Sequence, residues 1–91
     1  MCFYVYILQS ETNNSFYKGH TDNVLRRLEE HNSGKENYTS KHRPWKLVWY
    51  IDKPTKSEAI ILEKKLKNLT SRDRIIAFMK KYPSGGQDVT P

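Results

Sequence analysis

The sequence is poor in the residues that staple or punctuate small proteins. It has one cysteine, Cys2, so no disulfide can form within the chain. That excludes a disulfide scaffold and fits a reducing compartment. Glycine and proline are scarce, four of each. No Gly/Pro-rich linker divides the chain and no segment repeats, so one domain is expected. The longest N-terminal apolar run, Cys2 to Leu8, is seven residues. It is too short to span a bilayer, and it lacks the basic flank and small-residue cleavage site of a secretory leader. Residence in the cytoplasm, with no membrane partner, is the resulting expectation. Acidic residues are also in the minority, ten against sixteen Lys and Arg, giving a net charge of +6 and a pI near 9.5. A surplus of that sign favours a polyanionic partner, above all nucleic acid.

What is present is aromatic. Two Trp, six Tyr and three Phe in 91 residues supply large side chains for a compact core. A chain of this length hides only about 60–65% of its unfolded surface, so that core must be single. Residues 2–9 are apolar on both faces and rich in β-branched and aromatic types, which predicts a central strand. Ser10 to Ser15 is turn chemistry, and Phe16 to His20 reads as the second strand of a hairpin. Thr21 or Asp22 can cap a helix running to about Ser33, with Gly34 as its stop. In that helix Leu25 and Leu28 are expected to meet the core, while Val24, Arg27 and His31 form a second stripe at spacings of three and four.

Residues 34–46 form a polar, basic connection of a length that is usually functional or mobile. Leu47 to Asp52 reads as a third strand, ended by Pro54. Thr55 or Ser57 opens a helix with an apolar row at Ala59, Leu62, Leu66 and Leu69. Glu63 lies beside that row, where a glutamate is either paired or aimed at a site. Thr70 or Ser71 caps a last helix whose apolar side is Ile75, Ile76 and Met79. Residues 83–91 show no apolar pattern and read as a disordered tail after a domain spanning 1–82. The order is β-β-α-β-α-α. It predicts an α/β chain of the α+β type, with a small, mainly antiparallel three-stranded sheet flanked by helices.

Several residue types suited to phosphate chemistry recur in a fixed order. Tyr4-Val5-Tyr6-Ile7-Leu8 is followed by Phe16-Tyr17-Lys18-Gly19. Arg27 comes eight residues after the glycine, within Leu25-Arg26-Arg27-Leu28-Glu29-Glu30-His31-Asn32, and Ser57-Glu58-Ala59 opens the helix that carries Glu63. As an ordered set this resembles the GIY-YIG nuclease superfamily, and in particular its small stand-alone members, over roughly residues 2–81.

The resemblance implies hydrolysis of nucleic-acid phosphodiesters by a metal-dependent endonuclease, in DNA repair or processing. Tyr6 would match the first motif tyrosine, as general base for the attacking water. Its ordinary pKa near ~10 would have to be lowered by cations, for which Lys18, His20 and Arg27 are the local candidates. Tyr17 would hydrogen-bond the scissile phosphate or share the base role. Arg27 would neutralise charge on the phosphoryl oxygens, and His31, one turn later, would contact phosphate. Glu63 would hold the one divalent metal, Mg²⁺ or else Mn²⁺. Two positions depart from the family pattern. The glycine of the first motif is absent from Tyr4-Val5-Tyr6, and His20 stands where several relatives have lysine.

Simpler readings of the same residues exist. Tyr6 and Tyr17 could be cross-strand packing, Arg27 and His31 a solvated face, and Glu63 the partner of Lys67 at i,i+4. A zinc site from His20, His31, His42 and Cys2 matches no familiar spacing. In the 34–46 connection, Lys35, Lys41 and Arg43, with Lys18 and His20 elsewhere, are candidate nucleic-acid contacts. Tyr38 or Trp45 could stack on unpaired bases, although Trp45 fits the core better. DNA is favoured over RNA as partner, with a second copy of the chain or another protein supplying specificity. The rival functions are a binding module of the same fold with weak or no cleavage, and a domain whose basic face takes an acidic protein.

Overall fold

The computed structural model describes residues 2–82. Three strands, β1 (Phe3–Ser10), β2 (Phe16–Thr21) and β3 (Trp45–Lys53), form one sheet in the order β2-β1-β3. Both pairings are antiparallel, with Tyr6 opposite Gly19 on one side and Tyr50 on the other, and with a bulge between Ile7 and Leu8 against β3. Four helices accompany it: α1 (Val24–Asn32), α2 (Asn37–Ser40), α3 (Lys56–Lys67) and α4 (Arg72–Lys81). The α+β architecture is the expected one, with one short helix added. The reading of residues 83–91 as a tail lies outside the described residues.

β1 is the middle strand, and its side chains alternate between two cores. Val5 and Ile7 point to one face and pack with Trp49, Ala59, Leu66 and Ile75 under α3 and α4. Tyr6 and Leu8 point to the other face and pack with Trp45, Tyr17, Leu28, Leu47 and Tyr50 under α1. This is why the strand is apolar on both sides. Trp45 begins β3 and is buried, its indole N–H donating to the Thr39 carbonyl at 2.8 Å.

Three sequence readings need correction. The N-cap of α1 is Asn23, whose side chain accepts from the Arg26 N–H at 3.0 Å, and not Thr21 or Asp22. Thr21 closes β2 and accepts instead from the Asn23 N–H at 3.1 Å. Leu25 is also not a core residue; it is 75% exposed. The helix presents Val24, Leu28 and His31 to the sheet, so Leu25 falls about 100° away from that face. In α4, Phe78 joins Ile75 and Met79 in the core, edge-on to Trp49 at 5.3 Å, and Ile76 is not part of it. Gly34 does end α1, at φ +88°. The caps of α3 and α4 are Thr55 and Ser71, which accept from the N–H groups of Glu58 and Asp73.

Candidate active site

The site is built across the edge strand β2. In this strand Tyr17, Gly19 and Thr21 face α1, whereas Phe16, Lys18 and His20 face α3. Tyr6, directly opposite Gly19, extends its ring over that glycine. A Cβ there would lie 2.7 Å from the Tyr6 hydroxyl oxygen and 2.9 Å from Cζ. Only the missing side chain lets the tyrosine reach from the central strand toward the edge.

The Tyr6 hydroxyl meets His31 Nε2 at 3.1 Å, and His31 Nδ1 meets Thr39 Oγ1 at 2.9 Å. Tyr17 packs edge-on against the His31 ring at 4.7 Å. His31 is 0% exposed, so the phosphate contact expected of it has no opening to occur through; the imidazole addresses Tyr6 instead. Burial, helped by Arg27, pushes its pKa down from 6.5 to about 4, so the ring is neutral near pH 7. One ring nitrogen then donates and the other accepts. Tyr6 O–H donates to Nε2 while Nδ1–H donates to Thr39, or both bonds run the other way.

Burial pushes the Tyr6 phenol up to about 12, and Arg27 beside it pulls down without prevailing. The expectation of a cation-lowered tyrosine is thereby overturned, and the reason is where the cations go. Lys18 donates to the carbonyls of Leu66 and Leu69, at 3.3 and 3.4 Å, and so caps the end of α3. His20 bonds to Glu63. Arg27 alone reaches the phenol. It is itself paired, with Glu30 at 2.9 Å and Glu36 at 3.3 Å. Partial burial disfavours its charge, but Glu30, Tyr6 and Glu36 more than offset this and its pKa is raised.

On the α3 side of the strand Glu63 is mostly buried. One carboxylate oxygen contacts His20 Nδ1, and the other takes Lys67 Nζ at 2.6 Å. Burial alone would raise its pKa; the bonds from Lys67 and His20 dominate and hold it below the usual carboxylate range. The i,i+4 pair with Lys67 is therefore present, as the simpler reading supposed. No cluster of three or more His, Cys, Asp and Glu suited to a metal occurs among the described residues. The donors at Glu63 fit one loosely held divalent ion, with phosphate and water completing its shell. A cation, the Lys67 ammonium, already sits on this carboxylate.

The loop cations stand apart. Lys35 and Lys41 are exposed. Arg43 braces the loop, donating to the Ser40 carbonyl at 3.1 Å and the Asn32 carbonyl at 3.4 Å. Tyr38 is exposed, edge-on to His42 and 6.3 Å from Tyr17. A cleft of about 390 Å³ opens between the start of α1 and the start of α3, lined by His20, Arg26, Arg27 and Lys56 among others. Sequence reasoning overlooked Thr39, Glu36, Arg26 and Lys56. Of these, Arg26 could have been flagged in advance, by its i,i+4 spacing from Asp22 and from Glu30.

A buried tyrosine aimed over a glycine, an arginine beside it and a glutamate on the facing helix define a class. The family model of the GIY-YIG catalytic domain matches residues 2–77. The chain belongs to the GIY-YIG family. It is 38% identical over 72 residues to a UPF0213 protein of Listeria monocytogenes, covering 78% of this chain and 79% of that one. It is 37% identical over 83 residues to a UPF0213 protein of Cupriavidus necator, covering 90% and 88%. The solution NMR structure of the UPF0213 protein from Bacillus halodurans superposes with a TM-score of 0.59 at 35% identity, over 99% of this chain and 95% of that one.

Proposed function

We propose that this chain is a metal-dependent endonuclease that hydrolyses nucleic-acid phosphodiester bonds, with DNA as the favoured substrate. The observation that carries the reading is the passage of Tyr6 over Gly19, which delivers a phenol to the strand edge where Arg27 stands. Arg27 would exchange Glu36 and Glu30 for phosphoryl oxygens and neutralise charge that grows there. Tyr17 and the cations of the neighbouring cleft, Arg26 and Lys56, would hold the strand. Glu63 would hold a divalent metal, Mg²⁺ or Mn²⁺, which when bound polarises a phosphoryl oxygen and the attacking water.

Tyr6 keeps its proton at neutral pH, so it cannot wait as a phenolate. It can take a proton from water only while passing its own to His31 Nε2. Arg27 disfavours charge on His31. A phosphate against Arg27 opposes that effect, so arrival of the substrate enables the transfer. Thr39 then steadies the imidazolium by accepting from Nδ1.

A second reading, a binding module with weak cleavage, is favoured by one observation. Arg27 and both oxygens of Glu63 are engaged by internal partners. The deciding experiment is incubation with single-stranded, duplex and branched DNA and with RNA, in Mg²⁺ or Mn²⁺, beside Glu63→Ala and Tyr6→Phe. Metal-dependent cleavage lost in both variants supports the nuclease. Salt-sensitive binding without cleavage, unchanged in Glu63→Ala, sinks it in favour of the binding module.

A further inference from the structure

His20 has a nitrogen against the carboxylate that the proposed chemistry assigns to the metal. It projects from the α3-facing side of β2, and its Nδ1 is in direct contact with Glu63 Oε1. Both side chains reach the surface, at 29% and 13% exposure, so the pair lies at an opening and not in the core. His20 also lines the cleft that holds Arg26, Arg27 and Lys56. The other carboxylate oxygen, Oε2, carries the Lys67 ammonium at 2.6 Å. Glu63 thus already balances a cation on one oxygen, and its other oxygen accepts from His20 Nδ1–H.

We infer that, when the His20 proton shifts to Nε2 and the Nδ1–H bond to Glu63 opens, His20 Nδ1 and a Glu63 oxygen together form a two-donor cation site that selects Mn²⁺ over Mg²⁺. The inference rests on reading Glu63 as the metal-holding carboxylate. Mg²⁺ takes oxygen donors and gives up its water reluctantly, whereas imidazole suits the first-row transition ions. A lysine at position 20 could hold a phosphate but not a metal; a histidine can do the latter. The paired donors bring a single negative charge, and Lys67 competes for it. Affinity in the free protein is accordingly weak, and a bound phosphate strengthens it. Neither of the other histidines is placed for this role. His31 is enclosed between Tyr6 and Thr39, and His42 bonds to Asn13 at 3.1 Å in the loop.

The test is to titrate metal-free protein with Mn²⁺, count bound ion by electron paramagnetic resonance, and record the spin-echo modulation of the bound fraction. Wild type is expected to show the ¹⁴N coupling of a directly bound imidazole, and His20→Ala and His20→Asn to lack it. Altering an outer-shell partner commonly weakens a metal about 10–100-fold, so losing a direct ligand should weaken Mn²⁺ at least about tenfold. Mg²⁺, measured by competition, should change by less than about twofold, because its shell favours oxygen. Bound Mn²⁺ without nitrogen coupling, unaffected by His20→Ala but lost in Glu63→Gln, overturns the role of His20 and leaves that of Glu63 standing. Mn²⁺ binding that survives Glu63→Gln unchanged, or no Mn²⁺ bound by wild type at millimolar concentrations, overturns both.

Discussion

The two sides of β2 solve different problems with similar residue types. On the α1 side a tyrosine, a histidine and a threonine form a closed chain, buried and neutral. On the α3 side a histidine, a glutamate and a lysine form a charged cluster that reaches solvent. The closed side fixes where one hydroxyl points. The open side holds charges whose partners can be exchanged for ions or phosphate. Burial explains the contrast: fully enclosed ionisable groups give up charge, and those that still reach solvent keep it by pairing. A site that must be both precise and exchangeable places the first property inside and the second at the rim.

The sharpest way to break the closed side is Gly19→Ala. The added methyl would sit 2.7 Å from the Tyr6 hydroxyl oxygen, so the ring must move. Overpacking of this kind costs about 1–3 kcal/mol. A hydroxyl displaced by about an ångström would lower the proposed cleavage roughly a hundredfold. Urea unfolding and single-turnover cleavage read the two effects. Gly34→Ala is the comparison. It is strained by φ +88° and meets only the flexible Arg43 guanidinium, at 2.8 Å. It should cost about 1–2 kcal/mol of stability and leave the per-molecule activity of the folded fraction intact. Equal loss of activity in both variants would refute a special role for Gly19.

Acid separates the two sides by where stability is lost. His31 takes up a proton at about pH 4 in the folded protein against 6.5 ordinarily. Its folded pKa is depressed, so the unfolded chain binds the extra proton first. The contribution is therefore complete above pH 6.5 and is lost as pH falls from 6.5 to about 4. The shift corresponds to about 3 kcal/mol. Glu63 is also depressed, so its contribution is complete above its ordinary 4.5 and is lost only below that, through the folded pKa. Urea midpoints measured between pH 7 and pH 4.5 should fall in wild type and stay flatter in His31→Gln. Parallel curves would mean that His31 is not held neutral.

Much of the fold was legible because hydrophobic spacing reports it directly. β1 is apolar on both faces because it is central, and the row at Ala59, Leu62, Leu66 and Leu69 faces the sheet. The phase of α1 was not legible. Leu25 and Leu28 are equally good apolar residues, and the inner face was completed by a histidine, which no hydrophobic count would place inside. His31 is tolerated there only because Tyr6 and Thr39 satisfy both its nitrogens. Those partners lie 25 and 8 residues away. The destination of Lys18 was hidden likewise, since the carbonyls it caps are 48 and 51 residues further on. Helix α2 has four residues, too few for a periodic signal. The order of Tyr6, Tyr17, Gly19, Arg27 and Glu63 could be read, and so could the i,i+4 pairing of Glu63 with Lys67; the non-local partners, Glu36 for Arg27 and His20 for Glu63, could not.

Thr39→Val tests the far end of the closed chain. Valine keeps the shape but removes the partner of His31 Nδ1, leaving a buried nitrogen unsatisfied. Such a loss costs about 1–3 kcal/mol. The readout that separates positioning from plain stability is the pH profile of cleavage under conditions where the variant is fully folded. If Thr39 steadies the His31 imidazolium, the acid limb should shift in Thr39→Val. Thr39→Ser, which restores the oxygen, should return it to the wild-type position. An unmoved profile in Thr39→Val would reduce the threonine to a structural hydrogen bond.

The smallest effect is expected at the open side, from Lys67→Met. The lysine is 57% exposed and its bond to Glu63 is an i,i+4 surface pair, so its removal should cost no more than about 0.5 kcal/mol. Its electrostatic consequence runs opposite to its structural one. Lys67 is a resident cation on Glu63 Oε2, and an incoming divalent ion must share the carboxylate with it. Methionine keeps the aliphatic stem and removes the charge. Mn²⁺ affinity in Lys67→Met should therefore rise severalfold while thermal stability barely moves, and the gain should shrink with added salt as the lysine's field is screened. A drop in metal affinity would show that Lys67 orients the carboxylate for the ion and does not compete with it. In that case the α3 side would be as pre-set as the α1 side, and the contrast between them would fail.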